Sequence, residues 1–288
     1  MIATTTTIDG LAGTSAAAWP SFRGRLGAFT TLVVRRLSLN LRNPRAIVLP
    51  LATPVLIAVV MAPALAKTAG AVGGVGYMTY LAIGTAGLLV PLSCMQAGLS
   101  SVVDRVSGNQ PDLVAAPVPR AWLVIGNLSA AIVTSALQVG ALVVFSAFRG
   151  ATFHATASGI LWFSAASLGL ATAVYGLAEL LANRTGTAEE YVNAIPTVGI
   201  APWFFAGSLF PISSMPGWIG AVAKALPVTH AVALMRYGLV DPRGSDLHAV
   251  WGMNNAAAMA GFSLTVLAAY AAVLTAAAIK VFQSAAVR

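Results

Sequence analysis

Long stretches of this sequence carry no charge at all, and they recur from one end of the chain to the other. Ala46 to Ala66, Tyr77 to Val103, Ala121 to Phe148 and Ala257 to Ile279 contain no Asp, Glu, Lys or Arg. A helix rises about 1.5 Å per residue, so about twenty apolar residues cross a hydrocarbon core of roughly 30 Å. Two further runs complete a series: Ser158 to Ala182, with Glu179 near its end, and Tyr191 to Phe210, interrupted by Pro196 and Pro202. Only 8% of the 288 residues are charged, against about a quarter in soluble domains. A chain so poor in charge cannot cover a water-facing surface. The expectation is an all-α polytopic membrane protein with six transmembrane helices, at about 46–66, 77–103, 121–148, 158–182, 191–210 and 257–279.

The punctuation between these runs sets the connections. Asn43-Pro44 ends whatever helix precedes the first span, because a residue before proline is pushed out of the α region. Pro50, Pro54 and Pro63 predict a kinked first span. Lys67 and the glycine-rich Gly70 to Gly76 make a short turn. Asp104 to Arg120 is polar, holds three prolines, and lies between two apolar runs; it reads as a cytoplasmic loop, with one or two helical turns over Gln110 to Ala116. After Pro211, Gly217 to Ala225 and His230 to Leu239 each fit a short amphipathic helix, joined at Pro227. Neither can cross a bilayer and both are too apolar for a free loop. They predict an outer re-entrant hairpin between spans 5 and 6, tolerated only where protein shields its backbone.

Charge sets the orientation. Arg23, Arg25, Arg35, Arg36, Arg42 and Arg45 crowd the stretch before the first span. On a helix, Phe22, Leu26, Phe29, Val33 and Leu37 share one face, with Arg35, Arg42 and Arg45 opposite. Such a basic amphipathic helix lies in a membrane interface, as a positive-inside anchor or as a shelf for a partner protein. With both termini cytoplasmic, eleven basic residues fall inside and five outside, the asymmetry the positive-inside rule requires. Residues 1–20, rich in Thr, Ala and Gly, read as a disordered cytoplasmic tail. The formal charge of +8 follows the span ends and is not interleaved with aromatics on a polar face, so lipid headgroups account for it and nucleic acid does not.

Catalytic chemistry has no foothold. Cys94 is the sole cysteine, which excludes an intrachain disulfide and a cysteine metal site. His154, His230 and His248 are too dispersed to argue a metal site. No HExxH, CxxC, GxSxG or GxGxxG occurs, and no lysine follows a glycine, so a P-loop is missing. Glu179 is the only acid inside a span, whereas ion-coupled carriers usually place acids or histidines at mid-membrane. The chain is therefore expected not to be an enzyme, and any transport would draw its energy from another chain.

Three sets of residues carry a resemblance, over about Phe22 to Ile279. One is the basic helix followed by RNPRAIVLPLATPVL, Arg42 to Leu56; a second is the loop ending APVPR at Arg120. The third is the ordered series Gly207, Phe210-Pro211, Met215-Pro216, Trp218, Pro227 and Arg236. Together they resemble the membrane-spanning permease of type 2 ABC exporters, the class that includes daunorubicin-resistance permeases. The resemblance implies a transmembrane domain over 21–288 in the cell membrane, paired with a second copy or paralogue as a dimer. It implies two separate ABC ATPase subunits, which would hold the ATP and Mg; this chain would hold no cofactor. The first cytoplasmic loop would be the coupling helix, placing Arg105, Asp112 and Arg120 against the ATPase, with Arg35, Arg36 and Arg42 of the basic helix beside it. Loop charges of this kind are as often simply solvated. Glu179 fits a pairing with Arg184 or the coupling region, or an interfacial acid reaching water. Met61, Met95 and Gln96 fit either a path between protomers or ordinary helix packing. Trp203, Phe204 and Phe205 fit either an aromatic belt or the lining of an apolar cargo path. Gly207, Pro211, Pro216, Trp218, Pro227 and Arg236 would shape the re-entrant hairpin. The implied activity is export of a lipid or an amphipathic, drug-like or polyketide-like molecule, with drug resistance as its outcome. Two other classes compete: a secondary carrier built from inverted repeats, and a membrane anchor or assembly protein without transport.

Overall fold

Helices account for most of the described residues in the computed structural model, which describes residues 70–72, 74–108 and 120–285 and isolated positions between 27 and 64. Two short strands, β1 (Ala71–Val72) and β2 (Val75–Gly76), pair antiparallel, with Ala71 opposite Gly76 and Val72 opposite Val75. They lead directly into α1 (Tyr77–Val106). Then come α2 (Arg120–Phe148) and α3 (Ala157–Ala182). α4 (Ala188–Ile195) runs through a wide turn at Pro196–Ile200 into α5 (Ala201–Phe205). After a tight turn at Ile212–Ser214 come α6 (Gly217–Ala225), α7 (Pro227–Leu239), α8 (Ser245–Trp251) and α9 (Ala256–Ala285).

Among the described residues, α1, α2, α3 and α9 are long and apolar enough to cross a membrane. The pair α6 and α7, bent by 84° at Leu226, passes only if taken as one broken span. The first expected span lies almost wholly outside the described residues. α1 continues past the apolar run to Val106, since Arg105 in its last turn finds partners on α3. The fifth apolar run changes character along its length. Pro196 and Pro202 each lack a backbone donor, and between them the Ala201 N–H reaches back five residues to Pro196 O. One α-helical register becomes a π turn and then α5. α8 is an element the sequence reading missed, set between left-handed glycines Gly244 (φ 73°) and Gly252 (φ 69°).

Helix starts follow local chemistry. Thr156 Oγ1 accepts from Gly159 N at 3.0 Å to open α3. Thr187 Oγ1 accepts from Glu190 N at 3.1 Å to open α4, and the Glu190 carboxylate returns a bond to Gly186 N at 2.8 Å.

α3 is central and packs against α9, α7 and α1. Lipid tails are as apolar as the side chains, so close contact and hydrogen bonds, more than exclusion from water, hold such helices together. Where α3 crosses α7, Gly159 and Gly238 meet backbone to backbone: a Cβ on either would overlap the other's carbonyl oxygen. Leu89, Met95, Leu142, Leu170, Tyr175, Leu234 and Met235 fill the interior between the helices.

Candidate functional site

Two polar clusters stand out in this apolar interior. The first centres on Arg236, in the last turn of α7 and only 3% exposed. Nη1 donates to Gly207 O (2.8 Å) and to Asp246 Oδ2 (2.7 Å); Nη2 donates to Ser208 O (2.9 Å) and Tyr80 O (3.1 Å). The guanidinium also lies 3.4 Å from the centroid of the Tyr80 ring. Burying a cation costs heavily unless it is paired and hydrogen-bonded. Here three backbone carbonyls, a carboxylate and a π face share that task.

The local backbone is shaped to present those carbonyls. Gly207 has φ 72°, a left-handed conformation that turns the chain after α5 and aims its carbonyl inward. The same oxygen accepts from Tyr80 Oη at 2.8 Å, and Tyr77 Oη donates to Leu209 O at 3.3 Å. α1 admits this turn at Gly84, where a Cβ would overlap the Ser208 carbonyl. Trp203 Nε1 donates to Gly84 O at 2.6 Å. α1, the α5 turn, α7 and α8 are thus tied at one point.

The second cluster sits at the other end of α1, just before residues 109–119 in the chain. Arg105 Nη1 donates to Ala182 O at 2.7 Å and Nη2 to Thr185 O, so its charge caps the carbonyl end of α3. One turn earlier Ser101 Oγ donates to Glu179 Oε2 at 2.9 Å. Tyr175 Oη donates to the same oxygen at 3.0 Å, Asn183 Nδ2 to Oε1 at 3.2 Å, and Asn127 Nδ2 of α2 to Ser101 Oγ at 3.4 Å. Glu179 is 1% exposed. Of its two readings, an acid reaching water at a helix end does not fit: Glu179 is enclosed, with donors from α1 and from α3 and its cap, and α2 reaches it only through Ser101.

The remaining expected residues are placed as follows. Asp112, Arg36, Arg42 and Met61 lie outside the described residues. Arg120 begins α2, and Arg35 is exposed at a helical position. Met95 and Trp203 are buried in helix packing, Met95 with its carbonyl accepting from Tyr191 Oη at 3.0 Å. Gln96, Phe204 and Phe205 face outward, as does Trp218. Pro211 precedes the tight turn, Pro216 precedes α6, and Pro227 is the first residue of α7.

Tyr80, Ser208, Asp246, Ser101 and Tyr175 escaped the sequence reading. Asp246 carried one usable signal, since Gly244-Ser245-Asp246 is a helix start with an acid in the first turn. The others look like any polar residue within an apolar run. No group of three or more His, Cys, Asp or Glu able to hold a metal occurs among the described residues.

Three of the four long apolar helices, the bent helix pair and the buried arginine lie within residues 27–240, and those residues match the family model for ABC-2 type transporters. The chain belongs to the ABC-2 type transporter family. No curated protein matches the chain. As an ABC-2 protein it is a multi-pass membrane permease component of an ABC transporter, a transport part and not a catalytic one, and an ABC ATPase is the kind of partner such a permease works with. The ABC-2 match spans α1 to α7 and so includes both polar clusters, but ends before Asp246.

Proposed function

We propose that this chain is the permease subunit of an ATP-driven exporter that carries a lipid or an amphipathic, drug-like molecule out of the cell. The observation that carries the reading is the Arg105 and Glu179 cluster, which joins α1, α2 and α3 beside the polar loop of residues 109–119. A push on that loop would be felt at once by three long helices. In this reading the loop docks on the ATPase, with Asp112 and Arg120 making charged contacts. The basic helix bearing Arg35, Arg36 and Arg42 lies in the interface beside it. Arg105 and Glu179 carry the motion into α3.

Both termini are cytoplasmic, six spans cross the cell membrane, and α6 and α7 form a re-entrant hairpin on the outer side, stiffened by Pro211, Pro216 and Pro227. A daunorubicin-resistance-like subtype fits the residue series from Gly207 to Arg236. Two copies, or this chain and a paralogue, pair as a dimer, with surrounding lipid as a further partner. Gln96, Phe204 and Phe205, exposed and mostly apolar, are offered for the cargo path, together with Met61. The partner supplies ATP and Mg.

The test is reconstitution of the chain with its ATPase in proteoliposomes, with ATP-dependent movement of a fluorescent phospholipid and of an amphipathic cation as readouts. ATP-dependent translocation lost on Asp112→Arg and Arg120→Glu is the expected result. Translocation by the chain alone, driven by a proton or sodium gradient, would establish the carrier alternative instead. An assembly factor would show no translocation with either energy source.

A further inference from the structure

A groove of about 500 Å³ runs between α2 and α3, in the half of each helix nearest the turn that joins them. On α2 it follows Ile132, Ala136, Gly140 and Val144, one face at helical spacing, about 18 Å long at ~1.5 Å per residue. Phe163 and Leu168 of α3 form the opposite wall, and Val90 of α1 and Leu239 of α7 lie at its floor. None of the residues offered for the cargo path or for ATPase coupling takes part.

We propose that this groove holds the hydrocarbon tail of a bilayer phospholipid. Its lining is mainly apolar; of the three serines that enter it, Ser164 lies exposed at the mouth, and the other two are engaged by their own helices. Ser135 Oγ donates to Ile132 O at 3.0 Å and Ser167 Oγ donates to Phe163 O at 2.8 Å. An ordered water needs two to four polar partners, and the groove does not provide them. Val144 and Leu168, one on each wall, are both exposed, so the mouth presents apolar side chains on either side. In a membrane-spanning segment such a mouth opens on hydrocarbon. The void beside Gly140 is real space, since a Cβ there meets nothing within 4 Å. A mainly apolar slot about 18 Å long, running along two helices apolar enough to span a membrane, suits an extended tail. An empty slot would forfeit dispersion contacts along both walls.

The full-length chain in phosphatidylcholine nanodiscs, doped with phosphatidylcholine bearing a mid-chain diazirine, provides the test. Irradiation should concentrate adducts on the Ile132–Val144 and Phe163–Leu168 peptides. Gly140→Leu fills open space and replaces a poor helix former with a good one. It should lower those adducts about tenfold, the change expected when about two methylenes lose apolar contact. Adducts around exposed Phe262 and Val273 of α9 should stay constant, which also reports a folded, inserted chain. Ala136→Leu, one turn away, should act the same way. Equal labelling in both filled variants would overturn the proposal. So would a cross-link from Gly140→Cys to a second copy, or to residues 46–66 of the same chain, since either would show protein in the groove.

Discussion

Arg236 places a full charge at a site only 3% exposed, and its partners are divided among segments far apart in the sequence. Arg236→Ala should destabilise the detergent-purified chain by about 3–5 kcal/mol, toward the lower end because Asp246 keeps 22% of its side chain exposed. Thermal unfolding read by tryptophan fluorescence checks this. Arg236→Lys should recover little, because a single ammonium cannot span three carbonyls and a carboxylate as a planar fork does. Stability equal to wild type in the lysine variant would show that charge alone matters. At Glu179 the expectation differs. Glu179→Gln keeps an oxygen for Ser101 and Tyr175 and should unfold close to wild type. Glu179→Ala strands those buried donors and should cost about 1–3 kcal/mol or more. Neither interaction was legible in the sequence. Hydropathy reports what enters a bilayer, but the partner of a buried polar group is set by packing between helices. A single acid near a helix end reads as interfacial until Ser101 of α1 and Tyr175 of α3 are seen to donate to it.

At the scale of elements, the long helices were the legible part, because an unbroken charge-free run has few other ways to satisfy its backbone in lipid. Their ends were less so: α1 outlasts its apolar run because Arg105 is held by α3, a tertiary reason. The π turn was half legible. Pro196 and Pro202 announced an interruption, yet nothing in a list of prolines says whether a helix breaks, kinks or widens. The crossing of α3 and α7 gives the sharpest element-level prediction. Gly159→Leu or Gly238→Leu forces a side chain into the opposing backbone and should cost about 1–3 kcal/mol or more. Size-exclusion profiles and melting temperature measure it. Gly261→Leu on α9, where a Cβ meets nothing within 4 Å, is the control expected to leave both unchanged.

For the whole molecule, the single buried cysteine makes topology directly measurable. Cysteines introduced singly at Ser107 and Ser284 should react with an impermeant maleimide from the cytoplasmic side, and one at Ser214 from the outer side. Labelling of Ser107 and Ser284 from opposite faces would refute the arrangement proposed above. Membrane class was legible from the charge-free runs, and family from three residue sets, of which the Gly, Pro, Trp and Arg series between 207 and 236 encodes turns and helix starts locally. Cargo was not, because a path is made by surfaces that converge only in the assembled protein.

The arginine hub also constrains how the chain is made. Tyr80 precedes Arg236 by 156 residues, and the carboxylate that completes the set follows on α8. A nascent chain therefore holds its first helices in the bilayer long before the knot can be tied. Synthesis halted just short of Asp246 would leave a cation in an apolar interior without its anion. Such a fragment should be cleared by membrane proteases sooner than one extended by only a few residues more, and pulse-chase lifetimes of a nested series of truncations would reveal that step.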